Sequence, residues 1–518
     1  MNRQPEARTG KAMKNALFGI LSYGILILSN FVTRRVFILQ LGDGLVGIES
    51  LFKSVVSMLS LAELGIGTGL VYLLYQPLAE RNTAAIRRVL NFYRRAYLLI
   101  SAVILAAGAA MSFFVWFFVE ESYDPRFLGF TFFLYVLDTL TAYLFAHQRA
   151  LIIADQKNYV NNLNEMLMNL LAMVLQVTLL LVIRSFVVYI LVRIFCRLVA
   201  ALLIHRNFRR LYPEIAASRS RESISKEQRQ SVMLNIRSML FHKVGGLGVT
   251  ASGSLIISKL LGSVINGLYA NYTLITTTVN ALILQVFSGI TASFGDYIHS
   301  ENRAHACEKF ELLHYINFLI ASFCTTSLFV LLEPFIALFF GAERVLPHLT
   351  TVLLTAHFFV YSMRRVVLMV RDSAGLYAPD RYMPLVEIAL NVALSLVLVL
   401  YTPLGVNGVL IGNLVSMLLI PFWIQPRIVY RAVFHRSSAA YFGRYVLYAL
   451  CTVAGCLLTE LLAGLLSGLH MPALLDLFVR ACLCLTVPNL LNLLLFCRTK
   501  EFAGVKQLFR NIWKRRSS

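Results

Sequence analysis

Residues 388–426 read IALNVALSLVLVLYTPLGVNGVLIGNLVSMLLIPFWIQP, thirty-nine positions without an acidic or basic side chain. A helix needs roughly 20 apolar residues to cross the hydrocarbon of a bilayer, so this stretch holds two crossings. Thr402–Gly408 (TPLGVNG) lies in its middle and carries the proline and glycines of a tight turn. The stretch reads as a membrane hairpin. Working outward, Ala96–Val119 and Leu312–Leu332 are further runs long enough to span, without Asp, Glu, Lys or Arg. The 518-residue chain is 58% hydrophobic and 14% charged, with mean hydropathy +0.71. Soluble domains run near 45–50% apolar and about 25% charged, so a soluble fold is excluded.

The predicted fold class is an all-α polytopic membrane protein of about fourteen spans. They are placed at 15–38, 45–75, 96–119, 127–147, 160–182, 185–204, 238–258, 264–294, 312–332, 347–370, 383–401, 407–425, 445–465 and 474–496. Residues 1–14 are polar and the apolar run after them is too long for a signal h-region, so no cleavable signal is expected. A net charge of +21 would point to nucleic acid in a soluble protein. With both termini placed in the cytoplasm, however, 34 of the 47 Lys and Arg fall in cytoplasmic segments and 4 in extracytoplasmic loops. That bias is the positive-inside rule. No nucleic-acid partner is expected. The eight cysteines sit in or beside apolar spans, and no His/Cys spacing resembles a zinc site. No metal or cofactor is expected.

A polar, charged cytoplasmic segment at 205–237 divides the chain into an N-lobe, 15–204, and a C-lobe, 238–425. Spans 13 and 14 follow at 445–496, then a basic amphipathic tail at 497–518, with aromatic and aliphatic residues at helical spacing that suit a membrane interface. At an offset of 220, Leu41-Gly42 and Gly47 fall on Leu261-Gly262 and Gly267, and Asn82 falls on Asn302. The shift equals six spans, an even number, so the lobes repeat in parallel. Two parallel six-helix lobes plus two extra helices is a transporter plan.

Each charge inside a span costs roughly 2.5–3.5 kcal/mol on insertion scales, so such residues face partners or water. The candidate substrate-binding set is Arg34, Arg35, Lys53, His242, Lys243, Arg364 and Arg365. Arg34 and Arg35 are adjacent, about 100° apart on a helix, so only one is expected to face a cavity. Glu49 and Lys53 are spaced i,i+4 in the favourable order and can also neutralise each other. The candidate ion-coupling acids are Glu63, Asp138, Glu165 and Glu387. Arg193 and Arg197 share span 6. A cavity richer in cations than anions suits a diphosphate, whose oxygens match the planar fork of Arg. The sequence has no phosphate-cradling glycine loop with Lys-Ser/Thr, no HExxH and no nucleophile elbow. No catalytic residues are expected, and ATP-driven transport within the chain is disfavoured.

Arg35–Gly42 (RVFILQLG), Gly47–Phe52 (GIESLF), Ser60–Gly67 (SLAELGIG) and Leu74–Ala79 (LYQPLA) resemble the polysaccharide-transporter, or Wzx-type, family of flippases. Ile256–Lys259 (IISK) and Gly267–Tyr272 (GLYANY) add a second match. The family shares a superfamily with lipid II flippases and multidrug and toxin extruders. One departure is Gly253-Ser254, where the family often has an acid before the Ile-Ile-Ser block. The resemblance implies transport, without catalysis, of undecaprenyl-diphosphate-linked oligosaccharide across a bacterial cytoplasmic membrane. It also implies alternating access, with spans 13 and 14 sheltering the polyprenyl tail. Expected partners are that substrate, membrane lipids, a glycan polymerase and glycosyltransferases. Three alternatives stand beside it: an ion-coupled drug extruder, a lipid II-type flippase, and a scaffold or glycan-assembly enzyme. Short extracytoplasmic loops weigh against the enzyme.

Overall fold

The computed structural model describes residues 5–63, 66–121, 123–217, 224–298, 303–467 and 471–516. The side chains of 5–13, 16, 62, 66–69, 227–228, 231–243, 286, 288–298, 303–305, 467, 508–509 and 511–516 lie outside the described set. The described residues are predominantly helical, with no strand among them. This follows from the solvent: hydrocarbon offers backbone amides no partner, and a helix satisfies them within one segment. Eleven described helices are long and apolar enough to cross a membrane. One of these, Leu17–Leu59, covers two expected spans. Two further helices occupy expected spans 7 and 8, so each of the fourteen expected passes has a helix.

The chain packs as two compact units, Met1–Gly267 and Leu268–Ser518. In the first unit the helices are α1 (Pro5–Leu59), α2 (Ile66–Ala79), α3 (Thr83–Ser112), α4 (Pro125–Thr141), α5 (Ala146–Ala154), α6 (Asn158–Ile183), α7 (Phe186–Leu211), α8 (Pro213–Ala217) and α9 (Lys226–Leu260), with the start of α10 (Ser263–Ile298). The segment 205–237 is helical at both ends: α7 runs on through it to Leu211 and α9 begins at Lys226. Sequence signals set the helix starts. Asn82 caps α3 by accepting from the Ala85 amide at 2.9 Å, and Asp124 caps α4 from Arg126 at 2.9 Å, with Pro125 in the first turn. Helix α1 packs along α6 and α9, so contact groups the expected span 7 with the first unit.

Gly42 divides α1 at φ 81° and ψ 169°, and Gly262, its counterpart at the 220-residue offset, has φ 94°. Both positions need glycine, because a Cβ disfavours this backbone region. The next equivalent pair touches. A Cβ on Gly47 would overlap the Ser263 carbonyl, and one on Gly267 would overlap the Asp43 carbonyl. Two helices therefore cross backbone to backbone. Asn266 ties the crossing by donating to the Gly47 carbonyl at 2.8 Å, and Glu121 accepts from the Ser263 amide. Gly47→Ala is expected to force the helices apart at a cost of about 1–3 kcal/mol, the usual range for overpacking. Thermal unfolding in detergent checks it: an unchanged midpoint would mean the crossing is looser than described.

In the second unit α10 continues, followed by α11 (Arg303–Phe339), α12 (His348–Met363), α13 (Arg365–Ser373), α14 (Met383–Tyr401), α15 (Val406–Leu419), α16 (Pro421–Val429), α17 (Ala439–Ser467), α18 (Ala473–Phe496) and α19 (Lys500–Arg516). The hairpin read at 388–426 is α14–α15. The two helices close so tightly that a Cβ on Gly412 would overlap Ser395, and Asn391 donates to Asn413 across them at 2.6 Å. The core is aromatic: Phe318 stacks on Tyr448 at 4.1 Å, and Phe310 meets Tyr430 edge-on at 5.6 Å. The tail helix α19 docks on this unit. Phe502 and Val505 pack against the core, and Glu501 pairs with Arg444 at 3.4 Å.

Candidate functional site

Three helices of the first unit bring six charged side chains together. The break at Gly42 lets the two parts of α1 contribute Arg34 from one side and Glu49 and Lys53 from the other. Helix α4 adds Asp138, and α7 adds Arg193 and Arg197 on one face. Glu49 is the hub, only 1% exposed. Its carboxylate pairs with Arg34 at 3.3 Å, Lys53 at 2.9 Å and Arg193 at 3.3 Å. It also accepts from the Tyr135 hydroxyl at 2.9 Å and the Tyr189 hydroxyl at 3.3 Å. Asp138 is the second anion, holding Arg193 at 3.0 Å and Arg197 at 2.8 Å.

The charges do not balance: four cations share two carboxylates. Burial divides them by task. Arg34 and Arg193 are 10% and 14% exposed at their side chains, whereas Lys53 and Arg197 are each 50% exposed. The inner four groups form a supported frame, and the outer two cations leave the exposed side of the cluster with surplus positive charge. Arg193 is fixed further by the Tyr135 ring, 4.2 Å from its guanidinium.

The remaining sequence candidates fall elsewhere. Arg35, next to Arg34, lies on the exposed surface. Glu63 ends a short 3-10 turn beside Tyr97 and Tyr143. Glu165 on α6 pairs with Arg149 at 3.0 Å on a half-exposed face. In the second unit, Arg364 donates to Gln425 at 3.1 and 3.2 Å and lies 3.8 Å from Glu387. Arg365 reaches the Asn280 carbonyl at 3.5 Å. His242 and Lys243 lie on α9, with side chains outside the described residues. Among the described residues no His, Cys, Asp and Glu group forms a metal site.

Sequence reasoning noted Arg193 and Arg197 without placing them in the candidate set, and it missed Tyr135 and Tyr189. A signal was available. Tyr189, Arg193 and Arg197 recur every four residues on α7, and Tyr135 and Asp138 are three apart on α4, so each set lies on one helical face.

The chain matches no protein-family model and no curated protein. Solved structures do resemble it. A lipid II flippase, MurJ, in an inward closed conformation superposes with TM-score 0.63 at 11% identity, covering 93% of this chain and 98% of that one. An inward-facing multidrug resistance MATE family transporter of the MOP superfamily gives 0.58 at 16% identity, covering 81% and 99%. An outward-facing MATE family transporter gives 0.52 at 14%, covering 86% and 96%. The chain therefore has the two-lobed, all-helical fold found in MOP-superfamily transporters.

Proposed function

We propose that the chain is a flippase that moves undecaprenyl-diphosphate-linked oligosaccharide across the cytoplasmic membrane of a bacterium by alternating access, for surface polysaccharide synthesis. The observation that carries this reading is the surplus of two positive charges around Glu49 and Asp138, with Lys53 and Arg197 at its open edge. A diphosphate brings the missing negative charge, and Arg can take its oxygens two at a time. An extruder of cationic drugs needs the opposite sign, since a like-charge site repels its cargo. A lipid II-type flippase shares the diphosphate and differs in the sugar, so the charge argument serves both. The Lys/Arg bias favours both termini in the cytoplasm. The working partners under this reading are the lipid-linked glycan, membrane lipids, a glycan polymerase and glycosyltransferases.

The test is reconstitution. Purified chain in vesicles should expose a labelled undecaprenyl-diphosphate oligosaccharide to an external glycosidase, while a cationic dye is not accumulated. Dye transport without lipid flipping would move the assignment to the extruder. Ion coupling through Glu63, Asp138, Glu165 or Glu387 is part of the proposal. Neutralising a coupling acid is expected to leave residual flipping that no longer responds to a proton or sodium gradient. Wild-type flipping indifferent to both gradients would return all four to structural roles.

A further inference from the structure

A second cation-lined space lies in the first unit, apart from the Glu49 cluster. It is a cavity of about 620 Å³ between α3, the α4–α5 break, α7 and α8. Arg87, Arg94, Arg209, His147 and His205 line it, and among the described residues no Asp or Glu does. Glu63 neighbours Tyr97 and Tyr143 but is not among the lining residues. Its polar wall is held in place. The His205 Nδ1 lies 3.1 Å from the Gln148 side-chain oxygen, and the His205 ring stacks on Phe145 at 4.7 Å. Arg87 donates to the Ile215 carbonyl at 3.0 Å, yet its buried Nε has no partner.

The cavity changes character along α3. Arg87 and Arg94, two turns apart, are followed by Leu98, Ser101 and Leu105 on the same wall. Leu98 is 61% exposed, Leu105 38% and Leu144 50%. In a membrane helix such side chains meet acyl chains. A ligand that fits must therefore carry negative charge at one end and hydrocarbon at the other. We propose that this cavity binds a phosphate-bearing lipid, with its phosphoryl group among Arg87, Arg94 and Arg209 and its tail leaving past Leu98 and Leu105. The charge bias puts Arg87, Arg94 and Arg209 at the cytoplasmic leaflet, where anionic headgroups are abundant. This site is distinct from the Glu49 cluster and does not depend on what is transported.

Native mass spectrometry of the full chain, equilibrated with equal parts phosphatidylglycerol and phosphatidylcholine, tests the proposal. Wild type should retain phosphatidylglycerol in excess. The double variant Arg94→Ala/Arg209→Ala, both exposed at the cavity mouth, should lose that excess by about five-fold per arginine, the effect of about 1 kcal/mol each. Arg94→Lys/Arg209→Lys should keep most of it. Arg210→Ala, exposed and outside the lining, should change nothing, and matching melting curves should exclude misfolding. Equal retention of the two lipids by wild type overturns the proposal, as does an Arg210→Ala loss as large as that of the double variant. Inorganic pyrophosphate that fills the site in lipid-free detergent as tightly as phosphatidylglycerol would mark a soluble phosphate site and overturn the lipid assignment.

Discussion

Glu49→Gln is expected to leave little folded protein, although the change replaces one oxygen by an amide nitrogen. The Glu49 carboxylate pairs with Arg34, Lys53 and Arg193, and it accepts from Tyr135 and Tyr189. Without its charge, Asp138 alone faces four cations, two of them mostly buried. Removing one partner of a buried ion pair costs about 3–5 kcal/mol, because the other charge stays desolvated. That is comparable to much of a protein's net stability. Lys53→Gln should be far milder, since its ammonium is half exposed and its loss lowers the surplus charge. Glu49→Gln/Arg193→Gln should recover part of what Glu49→Gln loses, because it removes charge of both signs. The monodisperse fraction after solubilisation, with the thermal inactivation midpoint, reads all three. A Glu49→Gln protein as heat-stable as wild type would refute the hub role.

The fold was legible because the bilayer fixes a length scale. Runs of about 20 apolar residues can be counted without knowing what packs on what, and the stretch at 388–426 shows its own turn. The equivalence of Gly42 with Gly262 was also legible, since a backbone with positive φ selects glycine in the sequence itself. Partner choice was much less so. The Glu49–Lys53 pair is local, one helical turn apart, and its spacing reveals it. Arg34 reaches Glu49 only because the chain breaks at Gly42, and Arg193 arrives from another helix altogether. Spacing shows which residues share a face of one helix, but not which faces of different helices meet. The choice between Arg34 and Arg35 illustrates the limit: helix geometry says they diverge, and only packing says which one turns inward. Glu165 and Glu387 stand in the sequence as candidate coupling acids without visible partners nearby in the chain, and packing sets them beside Arg149 and Arg364.

Under the flippase reading, the largest functional loss is expected from removing Lys53 and Arg197 together. These two cations stand half exposed at the edge of the cluster, so they can meet a headgroup without dismantling the frame beneath. A hydrogen bond to a charged group contributes about 1.5–3 kcal/mol. Losing two such contacts should slow flipping of a diphosphate lipid by at least about a hundredfold, at 1.4 kcal/mol per factor of ten. The frame should survive, because Glu49 keeps Arg34 and both tyrosines, and Asp138 keeps Arg193. Removing two positive charges also brings the cluster to neutrality, which favours the empty protein. Lost flipping with intact folding therefore separates substrate recognition from stability. Arg197→Lys should retain partial activity, keeping charge but losing the planar fork. Arg35→Ala should cost far less flipping than the double variant, since Arg35 sits about 100° round the helix from Arg34, which is the one paired with Glu49. Vesicle flipping assays with melting curves on each variant decide the matter. If Lys53→Ala/Arg197→Ala flips at the wild-type rate, the surplus charge is not what recognises the headgroup. The diphosphate reading then loses its main support.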